Sequence, residues 1–119
     1  MASITFYNRG GAPTAYCEDG IHIYLFNGKP AAYIHKDSVY NYSGAYLGQF
    51  KNGWILDTKS FHVFFTEDAT GGPMKPLKQS SPLKSSKQLS PRKGLKQSKP
   101  LSPSRSLSWS SNSSASFFN

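Results

Sequence analysis

Short turn signals recur through the first half of this chain at intervals of seven to nine residues. Five of the eight are Gly-Gly, Asp-Gly, Asn-Gly or Ser-Gly pairs, which accept the positive φ angles that tight hairpin turns need. The segments between them are short and rich in Tyr, Phe, Ile and Val. The pattern predicts an all-β fold, an antiparallel meander of about four β-hairpin repeats with eight short strands. The pairs begin at Gly10, Asp19, Asn27, Lys36, Ser43, Asn52, Lys59 and Asp68.

The turns also reveal an internal repeat whose anchor residues are 17, 16 and 16 residues apart. One hairpin cannot bury a face of its own, so the copies must pack on one another. The fourth copy is atypical, as terminal repeats often are, because it has no glycine anchor and carries Phe64 where the others have a small residue. The anchors are Gly11, Gly28, Gly44 and Ser60. Columns around them hold Phe6, Ile23, Val39 and Ile55; Tyr7, Tyr24, Tyr40 and Leu56; Ala15, Ala32, Gly48 and Phe64; and Tyr16, Tyr33, Gln49 and Phe65.

Charge is distributed unevenly along the 119 residues. Residues 1–72 carry six acids and five bases, whereas residues 73–119 carry nine bases and no acid. We therefore expect three parts: a β-hairpin repeat domain over 1–72, a Pro/Leu/Lys triplet-repeat basic arm over 73–108, and a Ser-rich C-terminal tail over 109–119. In the last of these, Trp109 is the obvious anchor.

The basic arm repeats every three residues, with Leu or Met in the middle position of most triplets and Lys or Arg in the third. This period matches a polyproline-II-like extended chain rather than a helix or strand. A longer period of nine residues also recurs, at Lys78-Gln79, Lys87-Gln88 and Lys96-Gln97. Three alternatives follow: a free arm, an arm docked on the β body through its leucines, or a disordered linker.

The acid-free arm makes nucleic acid or another polyanion one candidate partner, because its bases create a positive field. Ser-Pro-base and Pro-x-x-Pro motifs also occur in it, but they follow from the triplet repeat. The candidate polyanion-binding residues are Lys75, Lys78, Lys84, Lys87, Arg92, Lys93, Lys96, Lys99 and Arg105.

Residues 23–26 and 63–65 are apolar on both strand faces, which is unusual in so small a body. A homo-oligomer, most simply a tetramer, would bury the second face. The alternative is a monomer in which the tail covers that face.

No residue pattern predicts catalysis, a cofactor or a metal. The three histidines lie in different repeat columns without metal-ligand spacing, and Cys17 is interpreted as a small buried thiol. The carboxylate pairs Glu18-Asp19 and Glu67-Asp68 occupy turns and are expected to be solvated. The tyrosine columns predict a sheet core; stacking on sugars or choline-like cations is the alternative. We therefore expect that the protein is not an enzyme.

A single cysteine favours a reducing compartment, and we expect a cytoplasmic location. Neither a secretory signal nor a membrane-spanning apolar stretch is visible in the sequence.

Several segments resemble the four-fold beta flower family of small bacterial proteins. They are the hairpin 27–34, the segment 46–55, the junction 64–73, the Pro-x-Lys triplets and the closing Ser-Leu-Ser-Trp-Ser at 106–110. The resemblance implies an all-β fold with a four-fold arrangement and supplies no substrate, cofactor or catalytic residue. The sequence thus favours a non-catalytic, self-assembling structural or interaction module with a cationic arm. Binding of nucleic acid or another anionic polymer through residues 73–108 is the alternative.

Overall fold

The computed structural model describes residues 3–100, 107–111 and 116–118, and within these ranges all regular elements are β-strands. The eight strands are arranged in chain order as one closed antiparallel barrel, which confirms the predicted all-β meander. Their bounds are β1 Ile4–Tyr7, β2 Pro13–Cys17, β3 His22–Leu25, β4 Pro30–His35, β5 Ser38–Tyr40, β6 Tyr46–Lys51, β7 Trp54–Leu56 and β8 His62–Phe65.

Each predicted turn pair lies between two strands or directly after β8. At Asn52-Gly53 both residues have positive φ, 53° and 82°, as a type I′ turn requires. The fourth anchor, Ser60, adopts φ 67° although it is not glycine. Its turn is held by Asp57, whose Oδ1 accepts hydrogen bonds from the backbone N–H groups of Lys59 and Phe61. The glycine-containing turns have the same cap, since Asn8 Oδ1 accepts hydrogen bonds from the N–H groups of Gly10 and Ala12, so the fourth turn keeps the shared geometry without glycine.

The repeat columns become cross-strand pairs. On the outer face, Tyr16 pairs with Tyr24 and Tyr33 pairs with Tyr40, so the first three repeats meet through aromatic side chains. Between the third and fourth repeats the equivalent pair is Gln49 with Leu56. The ring closes where Phe65 of the last repeat pairs with Tyr7 of the first, and their rings stack at 5.3 Å. The four-fold arrangement is thus formed within one chain.

The inward face carries the small column of the first three repeats and the large aliphatic residues opposite it, for example Ala32 opposite Ile23. Phe64 of the atypical fourth repeat is fully buried in this interior. It packs on two residues from the chain end, because Phe118 stacks on its ring at 5.4 Å and Phe117 meets it edge-on at 5.6 Å. The departure of the fourth repeat from the pattern therefore provides the contact that seats the C-terminus.

No helix in the described part of the chain is long and apolar enough to cross a membrane. The three-part division at residues 72 and 108 stays a prediction.

Candidate interaction surface

Residues 73–100, here called the docked arm, follow the outside of the barrel as a chain without helix or strand. The arm is attached through its backbone at nine-residue intervals. The N–H groups of Gln79, Gln88 and Gln97 donate to the carbonyl oxygens of the repeat anchors Gly11, Gly28 and Gly44, each at 2.9 Å. One visit to each successive hairpin therefore accounts for the nine-residue period of the sequence. The fourth equivalent position, residue 106, lies outside the described residues.

The anchor glycines allow this close approach. They adopt φ of 85°, 91° and 98°, a left-handed conformation that is unfavourable for residues with a Cβ atom. In addition, a Cβ at Gly11, Gly28 or Gly44 would collide with the carbonyl oxygen of Leu77, Ser86 or Leu95, respectively. Glycine is required at these positions both by the turn and by the arm.

Lysines of the arm neutralise carboxylates of the barrel. Lys84 Nζ lies 3.0 Å from Glu18, which also accepts a hydrogen bond from Lys87, and Lys99 Nζ lies 3.0 Å from Asp37. Lys87 and Lys84 hold the pKa of Glu18 below its usual range, and Lys99 does the same for Asp37. Carboxylates of the barrel therefore neutralise part of the arm's positive charge.

Lysines of the arm also cover tyrosines of the outer face. Lys84 Nζ lies 4.5 Å from the ring centroid of Tyr16, and Lys93 Nζ lies 4.5 Å from that of Tyr33. Both rings are buried, as the core interpretation predicted. The faces that could have stacked on an external cation are occupied by internal lysines, and these cation–π contacts help to hold the arm.

The leucines of the arm point away from the barrel. The sequence offered docking through the leucines as one alternative, and that alternative is wrong. In the triplets of the arm, the backbone carbonyl of the middle residue and the lysine in the third position contact the barrel. The side chain of the middle residue therefore faces solvent. This exposed set, here called the leucine stripe, is between 91% and 96% accessible. Its members are Met74, Leu77, Leu83, Leu89 and Leu95.

The nine bases proposed for polyanion binding are not equivalent in the structure. Lys78, Lys84, Lys87 and Lys99 form ion pairs, Lys75 donates to the carbonyl oxygens of Glu67 and Ala69, and Lys93 covers Tyr33. Within the described part of the chain, Arg92 and Lys96 form no ion pair, and Arg105 lies outside the described residues.

The turn between β2 and β3 gathers the groups that come nearest to a reactive constellation. Asp19 accepts a 2.6 Å hydrogen bond from the His22 ring, and the Cys17 Sγ lies 3.9 Å from the other carboxylate oxygen. Burial raises the pKa of the Cys17 thiol, which disfavours the nucleophilic thiolate. Burial alone would favour protonated Asp19, but hydrogen bonds from His22 and the backbone N–H of Ile21 hold its pKa below the usual range. The cluster is a capped turn.

The described residues contain no group of three or more His, Cys, Asp or Glu side chains that could hold a metal ion.

The predicted anchor Trp109 packs edge-on against Trp54 at 5.5 Å and lies beside β8, where its backbone forms a parallel bridge with His62. Ser110 extends this attachment, because its hydroxyl donates a 2.6 Å hydrogen bond to Asp57. The seat of Phe117 and Phe118 against Phe64 was not predicted. Two adjacent aromatics closing a Ser-rich tail, together with one oversized residue in a small repeat column, were the available signal.

Neither the curated proteins nor the solved structures contain a significant match to this chain. A family profile matches residues 4–118, which includes both the barrel and the arm, and the chain accordingly belongs to the 4-fold beta flower protein family.

Proposed function

We propose that this protein is a non-catalytic structural module that self-assembles through the leucine stripe of its docked arm. The observation that supports the proposal is the near-complete exposure of five large apolar side chains on a segment that the barrel holds in place. Exposed apolar surface that extends along one side of a soluble protein commonly marks an interaction site. Burying one Leu or Met side chain contributes about 1.5–3 kcal/mol.

Attachment of the arm prepares the stripe for association. Backbone hydrogen bonds from Gln79, Gln88 and Gln97 fix the arm before any partner arrives, so association costs less conformational entropy than it would for a free segment. The ion pairs of Lys84 with Glu18 and of Lys99 with Asp37 reduce the repulsion that two acid-free arms would otherwise exert on each other. A second copy of the same stripe is therefore a suitable partner.

The surface that we propose for association differs from the one that the sequence suggested, which was the second face of the apolar strands. The outer faces of the two-faced strands are partly covered within the chain, because Lys87 lies over the half-buried ring of Tyr24 and Phe65 is almost fully buried against neighbouring rings. The stripe, in contrast, passes several hairpins and can meet more than one neighbour. We retain a homotetramer as the expected assembly, because two distinct two-fold contacts per protomer generate D2 symmetry. The single buried Cys17 suits the cytoplasm, where we place the protein.

The experiment is a measurement of native mass by light scattering coupled to gel filtration at tens of micromolar protein. We expect four times the chain mass of 13.1 kDa for the unmodified protein. The triple variant Leu83→Ser/Leu89→Ser/Leu95→Ser should elute as a monomer that still unfolds cooperatively, because these side chains are exposed in the single chain and do not contribute to its core. The control Ile21→Ser, at a partly exposed apolar residue outside the arm, should keep the native mass.

A native mass of one chain for the unmodified protein, or an unchanged oligomer in the triple variant, would refute self-assembly through the stripe. A smaller oligomer that the triple variant dissociates would refute only the tetramer.

Binding to a polyanion is a second candidate function, and Arg92 and Lys96 are the residues that favour it. Because they form no ion pair among the described residues, they can meet phosphates without releasing an internal acid. Two phosphate contacts predict a log–log salt slope of about −1.8 on duplex DNA, whereas nine free bases would give about −8. Titration of a DNA duplex at several salt concentrations tests this, with Arg92→Gln/Lys96→Gln as the variant expected to lose binding.

A further inference from the structure

The barrel is less completely paired between β8 and β1 than at its other three junctions between repeats. The β2–β3, β4–β5 and β6–β7 junctions each contain three residue pairs, but β8 and β1 share only Tyr7–Phe65. By the register of the repeat, the missing pairs would place Thr66 opposite Phe6 and Glu67 opposite Thr5. The edge of β1 before Tyr7 is consequently not paired with any other described strand on this side.

The cause is that the chain leaves the barrel directly after β8. The Thr66 hydroxyl and backbone N–H both donate to the carbonyl oxygen of Gly53, at 2.8 and 3.0 Å. The N–H of Thr70 donates to the carbonyl oxygen of Asn52 at 3.0 Å. Lys75 reinforces the new path by donating to the Ala69 carbonyl at 2.9 Å. The N–H of Ala69 also donates to the Thr66 carbonyl at 3.1 Å, so the chain turns at residues 66–69 toward the β6–β7 turn and leaves β1.

The separation opens a cleft of about 400 Å³ at this seam, here called the seam cleft. Ile4, Thr5 and Tyr7 of β1 form one wall, Glu67 and Asp68 form the other, and Phe50 contributes an apolar side chain. The cleft therefore combines a free strand edge, apolar surface and two carboxylates. Its volume is within the range of binding sites in proteins.

We propose that the seam cleft binds an extended cationic peptide segment of a partner protein, which pairs with the edge of β1 as an additional strand. An unpaired strand edge presents backbone donors and acceptors in the spacing that an extended peptide complements. The three residues before Tyr7 offer a length of roughly 10 Å, enough for a segment of three or four residues.

The carboxylates indicate the charge of the segment. The Glu67 side chain is 80% exposed and forms an ion pair with Lys78 at 3.3 Å, while Asp68 forms no ion pair among the described residues. Lys75 and Lys78 of the arm approach Glu67, but the described lining of the cleft contains both carboxylates and no lysine or arginine, so the cleft presents negative charge to a bound segment. A lysine or arginine of the bound strand would meet these carboxylates, and its neighbouring apolar side chain would meet Ile4 and Phe50.

The experiment uses the full chain labelled with nitrogen-15 and the peptide acetyl-Val-Lys-Val-Lys-Val-amide as the probe. Titration followed by NMR should shift the backbone amide signals of residues 4–7 and 66–68 in a saturable manner. The matching peptide with glutamate in place of lysine should bind about tenfold more weakly, because each exposed charge pair contributes a factor of a few.

Charge reversal provides the decisive comparison. The variant Glu67→Lys/Asp68→Lys should lose about tenfold in affinity for the lysine peptide and should prefer the glutamate peptide. The single variant Asp68→Lys, which leaves the Glu67–Lys78 contact intact, should show a smaller change in the same direction. The control Thr58→Lys adds a cation on the exposed turn at the other end of β7 and β8 and should change neither affinity.

Three outcomes would overturn the inference: amide shifts centred away from β1, affinities unaffected by reversal of Glu67 and Asp68, or equal shifts with the diamine putrescine. The last would identify a site for small cations rather than for a strand. The seam cleft lies outside the leucine stripe, so failure of either proposal leaves the other intact.

Discussion

Replacing Gly11 with alanine tests whether the arm is attached through the repeat anchors. Gly11 has φ 85°, and a Cβ there would collide with the carbonyl oxygen of Leu77, so the arm must lift locally. Lifting removes the hydrogen bond from Gln79 N–H to the Gly11 carbonyl, which contributes about 0.5–1.5 kcal/mol. The left-handed backbone itself costs alanine a further ~1–2 kcal/mol of fold stability.

Limited trypsin digestion distinguishes the lost hydrogen bond of the arm from the backbone strain in the turn. Cleavage of an arm that opens rapidly reports the population of the open state of the arm. We expect cleavage after Lys78 to accelerate about two- to tenfold in Gly11→Ala, in proportion to the lost hydrogen bond. Cleavage after Lys93, two hairpins away, should change less.

Two neighbouring glycines provide matched controls. Gly10→Ala introduces no positive-φ strain, and its Cβ would lie at an ordinary 3.5 Å from Asn8 Oδ1. Gly20→Ala introduces comparable strain at φ 79° in a turn that receives no backbone hydrogen bond from the described arm. Gly20→Ala should lower the melting temperature without accelerating arm cleavage, and Gly10→Ala should do neither. Equal cleavage rates in Gly10→Ala and Gly11→Ala would refute attachment of the arm at the anchor.

Three further predictions concern acid, the chain end and the thiol. Because the docked state lowers the pKa of Glu18 and Asp37, their ion pairs stabilise docking above the usual carboxylate range and are lost as pH falls through the lowered values. The amide NMR signals of the arm should therefore move below about pH 4, and constant signals down to pH 2 would contradict this. Phe117→Ala should lower the free energy of unfolding in urea by about 3 kcal/mol, whereas Leu107→Ala, at an exposed side chain, should change it by less than about 0.5 kcal/mol. Cys17 should react with Ellman's reagent only as the protein unfolds, because it is buried and its thiol pKa is raised; rapid reaction of the native protein would refute that environment.

The barrel was predictable because local and repeat signals agree. Turn pairs such as Asn52-Gly53 determine where strands end, and the repeat columns then determine which residues meet, as in Tyr16 with Tyr24. Closure of Phe65 on Tyr7 follows once the copies are arranged in a ring. The seam cleft was not predictable from the columns, because it depends on hydrogen bonds that Thr66 forms only in the folded chain.

The orientation of the arm was harder to predict, because an apolar register normally indicates burial. Here the backbone and lysines take the inner positions: the carbonyl of Leu77 approaches Gly11, while Lys84 reaches Glu18 and Tyr16. A chain attached by main-chain hydrogen bonds and salt bridges leaves its apolar side chains free to project. A regular leucine spacing therefore indicates that the leucine side chains point in a common direction. Whether they face the barrel or solvent depends on what the other two residues of the triplet can bind.

The period of the hairpin repeats and the nine-residue period of the arm together determine the path of the arm around the barrel. Four hairpins of 16 or 17 residues form the ring, and each nine-residue unit of the arm reaches the next anchor, from Gly11 to Gly28 to Gly44. Nine residues at about 3.1 Å advance roughly 28 Å, so four units would cover about 110 Å. A circle around the 36 × 35 Å cross-section has nearly the same perimeter. An extended arm with a nine-residue unit is therefore the right length to contact each hairpin once, whereas a helical arm rising 1.5 Å per residue would reach only about half as far. This geometry favours an extended backbone, and its polyproline-II-like character stays a prediction.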